Sequence, residues 1–180
     1  KSFEAVGFDI NESRVKELNA HYDKTLEVAK KELKNANNIK ISSNQHDIAG
    51  SDIFIATVPT PIDKKNNPDL TALEMASKTI AFAIKKGSMV VYESTVYPGC
   101  TEEICVPILE KFSNLTFNKD FFVGYSPERI NPGDKNHAIG DIVKIISASN
   151  KKSLNILYDL YSEIIPAGLH KATSIKVAEA

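Results

Sequence analysis

The sequence contains little cysteine, no excess of charge of either sign and no long apolar run. Its two cysteines, Cys100 and Cys105, are too few for a disulfide framework and suit a reducing compartment. The net charge of −1 favours neither nucleic acid nor an acidic membrane as the main partner. No apolar run approaches the roughly 20 residues that span a bilayer, and residues 1–4 show no signal-peptide core. We therefore expect a cytoplasmic protein.

A glycine-rich phosphate loop of the form Gly-x-Gly-x-x-Gly is also missing. The sequence opens directly into an apolar strand pattern over residues 3–8, and residues 176–180 have the pattern of a first helical turn. Natural domains usually end in exposed, loosely held chain, so we interpret the sequence as part of a longer polypeptide. If the fold binds a dinucleotide, we expect its first strand and its phosphate loop to precede Lys1.

Strand-like and helix-like patterns alternate along the whole sequence. With 42% apolar and 25% charged residues, the composition is that of one ordinary globular domain. Residues 52–58 are apolar on both faces, which is typical of a central strand in a helix-covered parallel sheet. The other predicted strands span residues 3–8, 39–41, 89–92, 121–125 and 142–146, and the predicted helices follow caps at Asn11 and Thr101 or span residues 24–38, 71–86 and 151–163. This order predicts an α/β fold with a mostly parallel sheet and right-handed crossovers.

Two polar loops that contain proline and glycine follow predicted strands. The first holds Ser94 and Thr95, and the second holds Glu128. Ligands bind at the carboxyl ends of the strands in an open parallel sheet, so we expect these side chains to share one crevice. Thr95 is predicted to position water or to contact a cofactor, because no nearby base would make it a nucleophile. The helix start at Thr101 favours anions. Glu128 either orients water as a general base or pairs structurally with Arg129.

Four further residues are candidates for a cofactor site. Asp9 ends the first strand, where an acid accepts hydrogen bonds from an adenosine ribose in dinucleotide-binding folds, or caps a turn. Arg14 lies one turn into the next helix, where it reaches the same ribose or a phosphate, or is a solvated arginine. Val58 ends the long apolar strand, and prolines on both sides of Thr60 either build a rigid ledge beside a ligand or simply terminate the strand.

The sequence does not predict a metal site. Cys100 and Cys105 lie close together without histidine partners, and the four histidines are scattered without the spacing of ligands. Cys105 falls on the apolar face of the helix that follows Thr101. We therefore expect it to be a core residue.

Several ordered motifs together resemble one enzyme family. The matching stretches are Gly7-Phe8-Asp9-Ile10, Val58-Pro59-Thr60-Pro61, Glu93-Ser94-Thr95-Val96 with Pro98-Gly99, Ser126-Pro127-Glu128-Arg129, and Ala178-Glu179-Ala180. They are similar to motifs of the nucleotide-sugar 6-dehydrogenases, the UDP-glucose/GDP-mannose dehydrogenase family. The resemblance implies a Rossmann-like doubly wound sheet with helices on both faces, lacking its first strand and glycine loop. The loop from Pro127 to Asp134 is most similar to the branch that oxidises UDP-N-acetylhexosamines in surface polysaccharide synthesis.

The resemblance also implies a role for each candidate residue. The implied NAD-binding residues are Asp9, Arg14, Val58, Thr60, Ser94 and Thr95, the first two at the adenosine ribose. The implied substrate-binding residues are Glu128, Arg129, Ile130 and Asn131, which act largely through the backbone. Thr95 and Glu128 would be catalytic, supporting the water of a hydrolytic step. A UDP-sugar is the implied substrate, and the implied assembly is a homodimer.

In the implied reaction, C6 of the sugar passes from alcohol to carboxylate with two NAD⁺, through a thioester on a cysteine. The family's nucleophilic cysteine lies in a following domain, and its lysine would fall two positions beyond Ala180. We therefore place an NAD-binding domain at residues 1–172 and the start of a linker helix at residues 173–180. Residues 1–180 alone are predicted to be inactive.

Three alternatives stay open on the sequence. A UDP-glucose 6-dehydrogenase is the nearest, although Pro132 stands where those enzymes tend to carry a second acid. A non-catalytic nucleotide-binding module would keep the fold without the chemistry. A flavodoxin-like domain would need a phosphate loop that these residues lack.

Overall fold

The structure, a computed structural model, describes residues 3–128 and 140–180. The predicted substrate-binding residues Arg129, Ile130 and Asn131 therefore lie outside the described residues. The chain divides into two compact units, Lys1–Ala49 and Gly50–Ala180. Each unit carries its own parallel strand pairing.

The first unit is built on two parallel strands, β1 (Ala5–Phe8) and β2 (Ile39–Ser42), which pair from Ala5 with Ile39 to Phe8 with Ser42. Between them lie helices α1 (Glu12–Asn19) and α2 (Lys30–Asn35), and a 3-10 turn spans Gln45–Ile48. The Asn11 side chain accepts hydrogen bonds from the backbone N–H groups of the first turn of α1, which confirms the predicted cap.

The predicted helix over residues 24–38 is correct only for α2. Residues 24–28 are not helical, because the buried carboxylate of Asp23 accepts hydrogen bonds from the backbone N–H groups of Thr25, Glu27 and Val28. These bonds hold residues 23–28 in a compact loop. A side chain that binds backbone N–H groups offers the chain an alternative to the helix.

The second unit contains a five-stranded sheet in the order β3-β4-β5-β6-β7. Its strands are β3 (Ile53–Ala56), β4 (Met89–Tyr92), β5 (Phe122–Tyr125), β6 (Lys144–Ala148) and β7 (Leu169–Lys171). Its helices are α3 (Thr71–Ala81), α4 (Val106–Ser113), α5 (Lys151–Ser162) and α6 (Ile175–Glu179). The pairings are parallel except between β5 and β6. The prediction of a mostly parallel α/β sheet is confirmed, and every residue of the inner strand β4 is buried. The predicted central strand is β3, which lies at the end of this five-stranded order and exposes Ile55.

Several predicted boundaries were wrong. Strand β6 begins at Lys144 instead of residue 142, β7 was not predicted, and α3 ends at Ala81 instead of residue 86. Thr101 is not a capping side chain, because it lies inside a π-helical turn, Thr101–Cys105, that leads into α4. These errors occur where tertiary contacts decide the ends of an element, which local patterns do not report.

One buried apolar cluster of the second unit joins the sheet to α5. Its buried members are Met89, Val91, Ile146, Leu157, Tyr161 and Ile165. Cys105 is fully buried, as predicted. Among the helices of the described residues, none is long and apolar enough to cross a membrane.

Candidate functional site

In the first unit, Asp9 follows β1 and is exposed. Its Oδ1 accepts a hydrogen bond from the backbone N–H of Asn11 at 2.8 Å, so Asp9 shapes the turn that leads into α1. The predicted turn role is therefore present. Because the side chain is exposed at the carboxyl end of a parallel strand, this turn also presents a carboxylate where a ribose acceptor is expected.

Arg14 is an ion-paired residue of the first unit instead of a solvated one. Its Nη1 lies 2.8 Å from Oδ1 of Asp23 and 2.5 Å from Oε1 of Glu17. The Asp23 side chain is only 1% exposed. The hydroxyl of Thr25 and the backbone N–H of Val28, together with Arg14, hold the pKa of Asp23 well below its usual value. The guanidinium of Arg14 thus has a structural task, and its contact with a ribose stays a prediction.

In the second unit, two hydrogen bonds join the loops that follow β3 and β4. Thr60 Oγ1 donates to the carbonyl oxygen of Thr95 at 2.5 Å, and Ser94 Oγ donates to the carbonyl oxygen of Val58 at 2.6 Å. The structure therefore brings together Val58, Thr60, Ser94 and Thr95, all of which were predicted for the cofactor site. Thr60 and Ser94 use their hydroxyls to hold the backbone, whereas the Thr95 residue is exposed at this end of the sheet.

The turn that follows Thr95 is held from the carboxyl end of the chain. Glu179 Oε2 accepts from the backbone N–H of Gly99 at 2.5 Å, and Oε1 accepts from that of Thr101 at 2.9 Å. Gly99 adopts φ +100°, which favours glycine. The helix start was expected to favour an anion, and the anion that it binds is the buried carboxylate of Glu179.

Glu128 belongs to a charged cluster at the end of β5. Lys144 Nζ lies 3.6 Å from Glu128 Oε2 and 3.4 Å from Glu93 Oε1. The Tyr161 hydroxyl donates to Glu93 Oε1. Burial, and then the charge of Glu93, raises the pKa of Tyr161 above its ordinary value, so Tyr161 stays a protonated donor.

Sequence reasoning did not predict roles for Lys144, Glu93 or Glu179. A signal was present for Lys144, because it interrupts the apolar run of β6 and a buried lysine requires a partner. Glu93 was noticed only as part of a motif. Glu179 was also noticed only as part of a motif, and its contacts could not be predicted because its partners lie about 80 residues away.

The fold and these loops define a nucleotide-binding α/β domain, with polar groups at the carboxyl ends of parallel strands. The chain belongs to the UDP-glucose/GDP-mannose dehydrogenase family, because residues 1–165 match the NAD binding domain of that family. The predicted family, Rossmann-like fold and NAD cofactor are thereby confirmed.

Relatives of known name match almost the whole chain. Protein CapL of Staphylococcus aureus is 58% identical over 97% of this chain and 41% of that protein. UDP-N-acetyl-D-glucosamine 6-dehydrogenases of Pseudomonas aeruginosa and Salmonella typhi are 57% and 52% identical over 97% and 100% of this chain, and over 42% of each relative. The chain therefore spans about two fifths of the length of these curated relatives.

Solved structures give the same result for the fold. A ternary complex of GDP-mannose dehydrogenase from Pseudomonas aeruginosa superposes with a TM-score of 0.88 at 25% identity, over 99% of this chain and 42% of that one. A UDP-D-ManNAc dehydrogenase from Pyrococcus horikoshii superposes with a TM-score of 0.86 at 28% identity, over 98% and 43%.

Proposed function

We propose that the protein containing this chain is an NAD-dependent UDP-N-acetylglucosamine 6-dehydrogenase. It would oxidise C6 of the sugar to the uronic acid in two hydride transfers, for surface polysaccharide synthesis. The observation that carries the proposal is the pair of joined loops that presents Thr95 beside the strand ends from which Glu128 also extends. Relatives at 57% and 52% identity, which are named for this activity, support the choice of substrate.

The residues of each unit fit an NAD site. When bound, NAD⁺ supplies a hydride acceptor at its nicotinamide ring. The exposed carboxylate of Asp9 would accept hydrogen bonds from the adenosine ribose hydroxyls, and Arg14 of the same unit would contact the same region of the cofactor. In the second unit, Val58, Thr60 and Ser94 would fix the loop backbone against which the cofactor rests, and the exposed Thr95 would contact it.

The proposed catalytic role of this chain is to position a water molecule. Thr95 and Glu128 would orient the water that hydrolyses a thioester, since a positioned carboxylate can accept a proton from attacking water. The loop with Arg129, Ile130 and Asn131 would bind the UDP-sugar. The nucleophilic cysteine is proposed to belong to a following domain, so residues 1–180 alone would not turn over substrate.

The organisation of the whole protein is proposed along the same lines. Residues 1–172 would form the NAD-binding domain, and residues 173–180 would begin a helix that leads to the substrate and dimerisation domain. We propose that the whole protein is a homodimer and that it is cytoplasmic. The two free cysteines suit the reducing environment of the cytoplasm. Light scattering of the full-length protein measures its assembly, and a monomer would contradict the dimer.

The test is an assay of the full-length protein with NAD⁺ and three sugars, namely UDP-N-acetylglucosamine, UDP-N-acetylgalactosamine and UDP-glucose. We expect two NADH for each UDP-N-acetylglucosamine consumed, and a product heavier by the change from CH₂OH to carboxylic acid. Preference for UDP-glucose would establish the alternative dehydrogenase, and absence of NADH with every sugar would favour a non-catalytic module.

Two variants test the assigned residues. Thr95→Ala and Glu128→Gln should each lower kcat by about 10²-fold or more, as removal of a group that acts on water does. Glu27→Gln is the matched control, because Glu27 is exposed in the first unit. Wild-type rates in both site variants would remove Thr95 and Glu128 from the mechanism.

A further inference from the structure

Lys144 reaches the functional end of the sheet because β6 runs against its neighbour. Tyr125 pairs with Ser147 and Gly124 pairs with Ala148, so the amino end of β6 extends beyond the last residue of β5. The Ser126 hydroxyl donates to the carbonyl oxygen of Ile145 at 2.7 Å and links the two segments beyond these pairs. A lysine at the start of an antiparallel strand thus lies beside the loops at the carboxyl ends of the parallel strands.

The Lys144 side chain is buried, and its ammonium group contacts the Glu93 carboxylate and the Tyr161 ring. Its side chain is 7% exposed, and the Glu93 carboxylate that faces it is 12% exposed. Glu93 is itself anchored, because its backbone N–H donates to the carbonyl oxygen of Ala56 at 2.9 Å and its carboxylate accepts from the Tyr161 hydroxyl. The Tyr161 ring also packs beneath Lys144, with Nζ 5.5 Å from its centroid. Glu93 and Tyr161 therefore fix Lys144 in place.

Glu128 lies on the open side of this anchored lysine. Its side chain is 37% exposed, and Oε2 is 3.6 Å from Nζ of Lys144. Among the described residues, the cluster includes the carboxylates of Glu93 and Glu128 and the ammonium group of Lys144. Without the lysine, the carboxylates of Glu93 and Glu128 would repel each other, and the more exposed one would move towards solvent.

We propose that Lys144 is a positioning residue that holds the carboxylate of Glu128 for its work on water. The proposal rests on the proposed function, because it concerns the same hydrolytic step. Glu93 and Tyr161 act through Lys144 and set its position. The buried residues Glu93 and Tyr161 thus fix the position of Lys144, and the more exposed Glu128 provides the carboxylate that acts on water.

The consequence for catalysis is a loss of turnover without a loss of binding. A displacement of about 1 Å of a group that acts on water costs about 10²-fold in rate. The steps up to the thioester do not depend on this carboxylate oxygen, so kcat and the KM values should fall together and kcat/KM should stay within about threefold of wild type. Both hydride transfers precede hydrolysis, so they should proceed at near wild-type rate in the first turnover.

The experiment compares Lys144→Met, Lys144→Arg and the exposed control Lys152→Met in the full-length protein. We expect Lys144→Met to form two NADH per subunit rapidly and then to turn over about 10²-fold more slowly than wild type. Lys144→Arg should recover at least a tenth of wild-type turnover, because it restores the cation. Lys152→Met should match wild type.

A second variant and a structural measurement guard against a folding defect. Lys144→Met combined with Glu93→Gln removes one buried charge of each sign, so it should keep the wild-type melting temperature within a few degrees and still turn over slowly. A crystal structure of this double variant should show the Glu128 carboxylate displaced towards solvent. Turnover within threefold of wild type in Lys144→Met, or an unmoved Glu128 in the double variant, would overturn the proposal.

The two proposals fail in different ways. If wild-type protein forms no NADH with any UDP-sugar, the proposed function fails, and the crystal structure still decides whether Lys144 positions Glu128. If wild-type protein is active and Lys144→Met is equally active, only the role of Lys144 fails.

Discussion

The carboxylate of Glu179 accepts a hydrogen bond from the backbone N–H of Thr101 at 2.9 Å. The two residues are 78 positions apart, and the bond links α6 to the turn that follows Thr95. Both residues are buried. The loop that presents Thr95 is thus held by Glu179 from α6 and by Thr60 from the preceding loop.

Removal of the Glu179 carboxylate should destabilise the second unit. Glu179→Ala leaves the N–H groups of Gly99 and Thr101 buried without these acceptors, which costs about 2–4 kcal/mol. A lower melting temperature of the full-length protein measures this effect. Glu102→Ala in the same turn is the control, because Glu102 is exposed and its interaction with the helix dipole is worth about 0.3–1 kcal/mol. Equal melting temperatures for the two variants would contradict the role of Glu179.

Because the hydroxyl of Thr60 joins the two loops, two variants at Thr60 should differ in their KM for NAD⁺. Thr60→Val removes the hydroxyl that donates to Thr95, so the loop should shift and the KM for NAD⁺ should rise by about 3–10-fold, the equivalent of one hydrogen bond. Thr60→Ser keeps the hydroxyl and should keep the KM. Initial rates of the full-length enzyme at varied NAD⁺ measure both. A KM that rises in Thr60→Ser but stays at the wild-type value in Thr60→Val would mean that the methyl group, not the hydrogen bond, matters.

Asp23 predicts an acid-sensitive stability of the first unit. Its pKa is lowered by folding, so its contribution is fully present above the unfolded value of about 3.9 and is lost as the pH falls below it. Asp23→Ala should cost about 2–4 kcal/mol at pH 7, because it also leaves Arg14 without its buried partner. Hydrogen exchange of a peptide over residues 22–30 between pH 6 and pH 3 measures local opening.

Asp23→Asn provides the matched control for that titration. It keeps the size of the side chain and cannot ionise, so exchange in this variant should be faster at pH 6 and should lose the steep rise in opening towards pH 3. A wild-type protein whose opening, after correction for intrinsic exchange, does not rise below pH 4 would contradict the assignment.

The two cysteines should resist alkylation in the folded protein. Both are fully buried, and the hydrogen bond with Cys100, together with burial, raises the pKa of Cys105 well above its ordinary value. The same bond lowers the pKa of Cys100. Because the reactive species is an accessible thiolate, iodoacetamide at pH 8 should label both residues at least about 100-fold more slowly than in urea. Peptide mass spectrometry measures each site, and rapid native labelling of either residue would contradict the burial.

Local pattern was sufficient where a continuous apolar run or a capping residue decides the state of an element. The apolar residues of Met89–Tyr92 predicted a buried strand with the correct bounds, and Asn11 predicted the start of α1. The family resemblance, not the local pattern, assigned Val58, Thr60, Ser94 and Thr95 to one cofactor site, and the structure brings these residues together. Local pattern was not sufficient for residues 23–28, where a buried acid overrides a polar, helix-like composition.

The sequence by itself determined the α/β class, the family and the residues at the strand ends, because those depend on local periodicity and on motifs of adjacent residues. Only the tertiary structure decided which distant side chains and backbone groups contact those residues. The antiparallel direction of β6 carries Lys144 to Glu93 and Glu128, and the return of α6 carries Glu179 to Thr101. Such partners are chosen by burial, since a charge taken out of water must find an opposite charge or a donor wherever the fold supplies it.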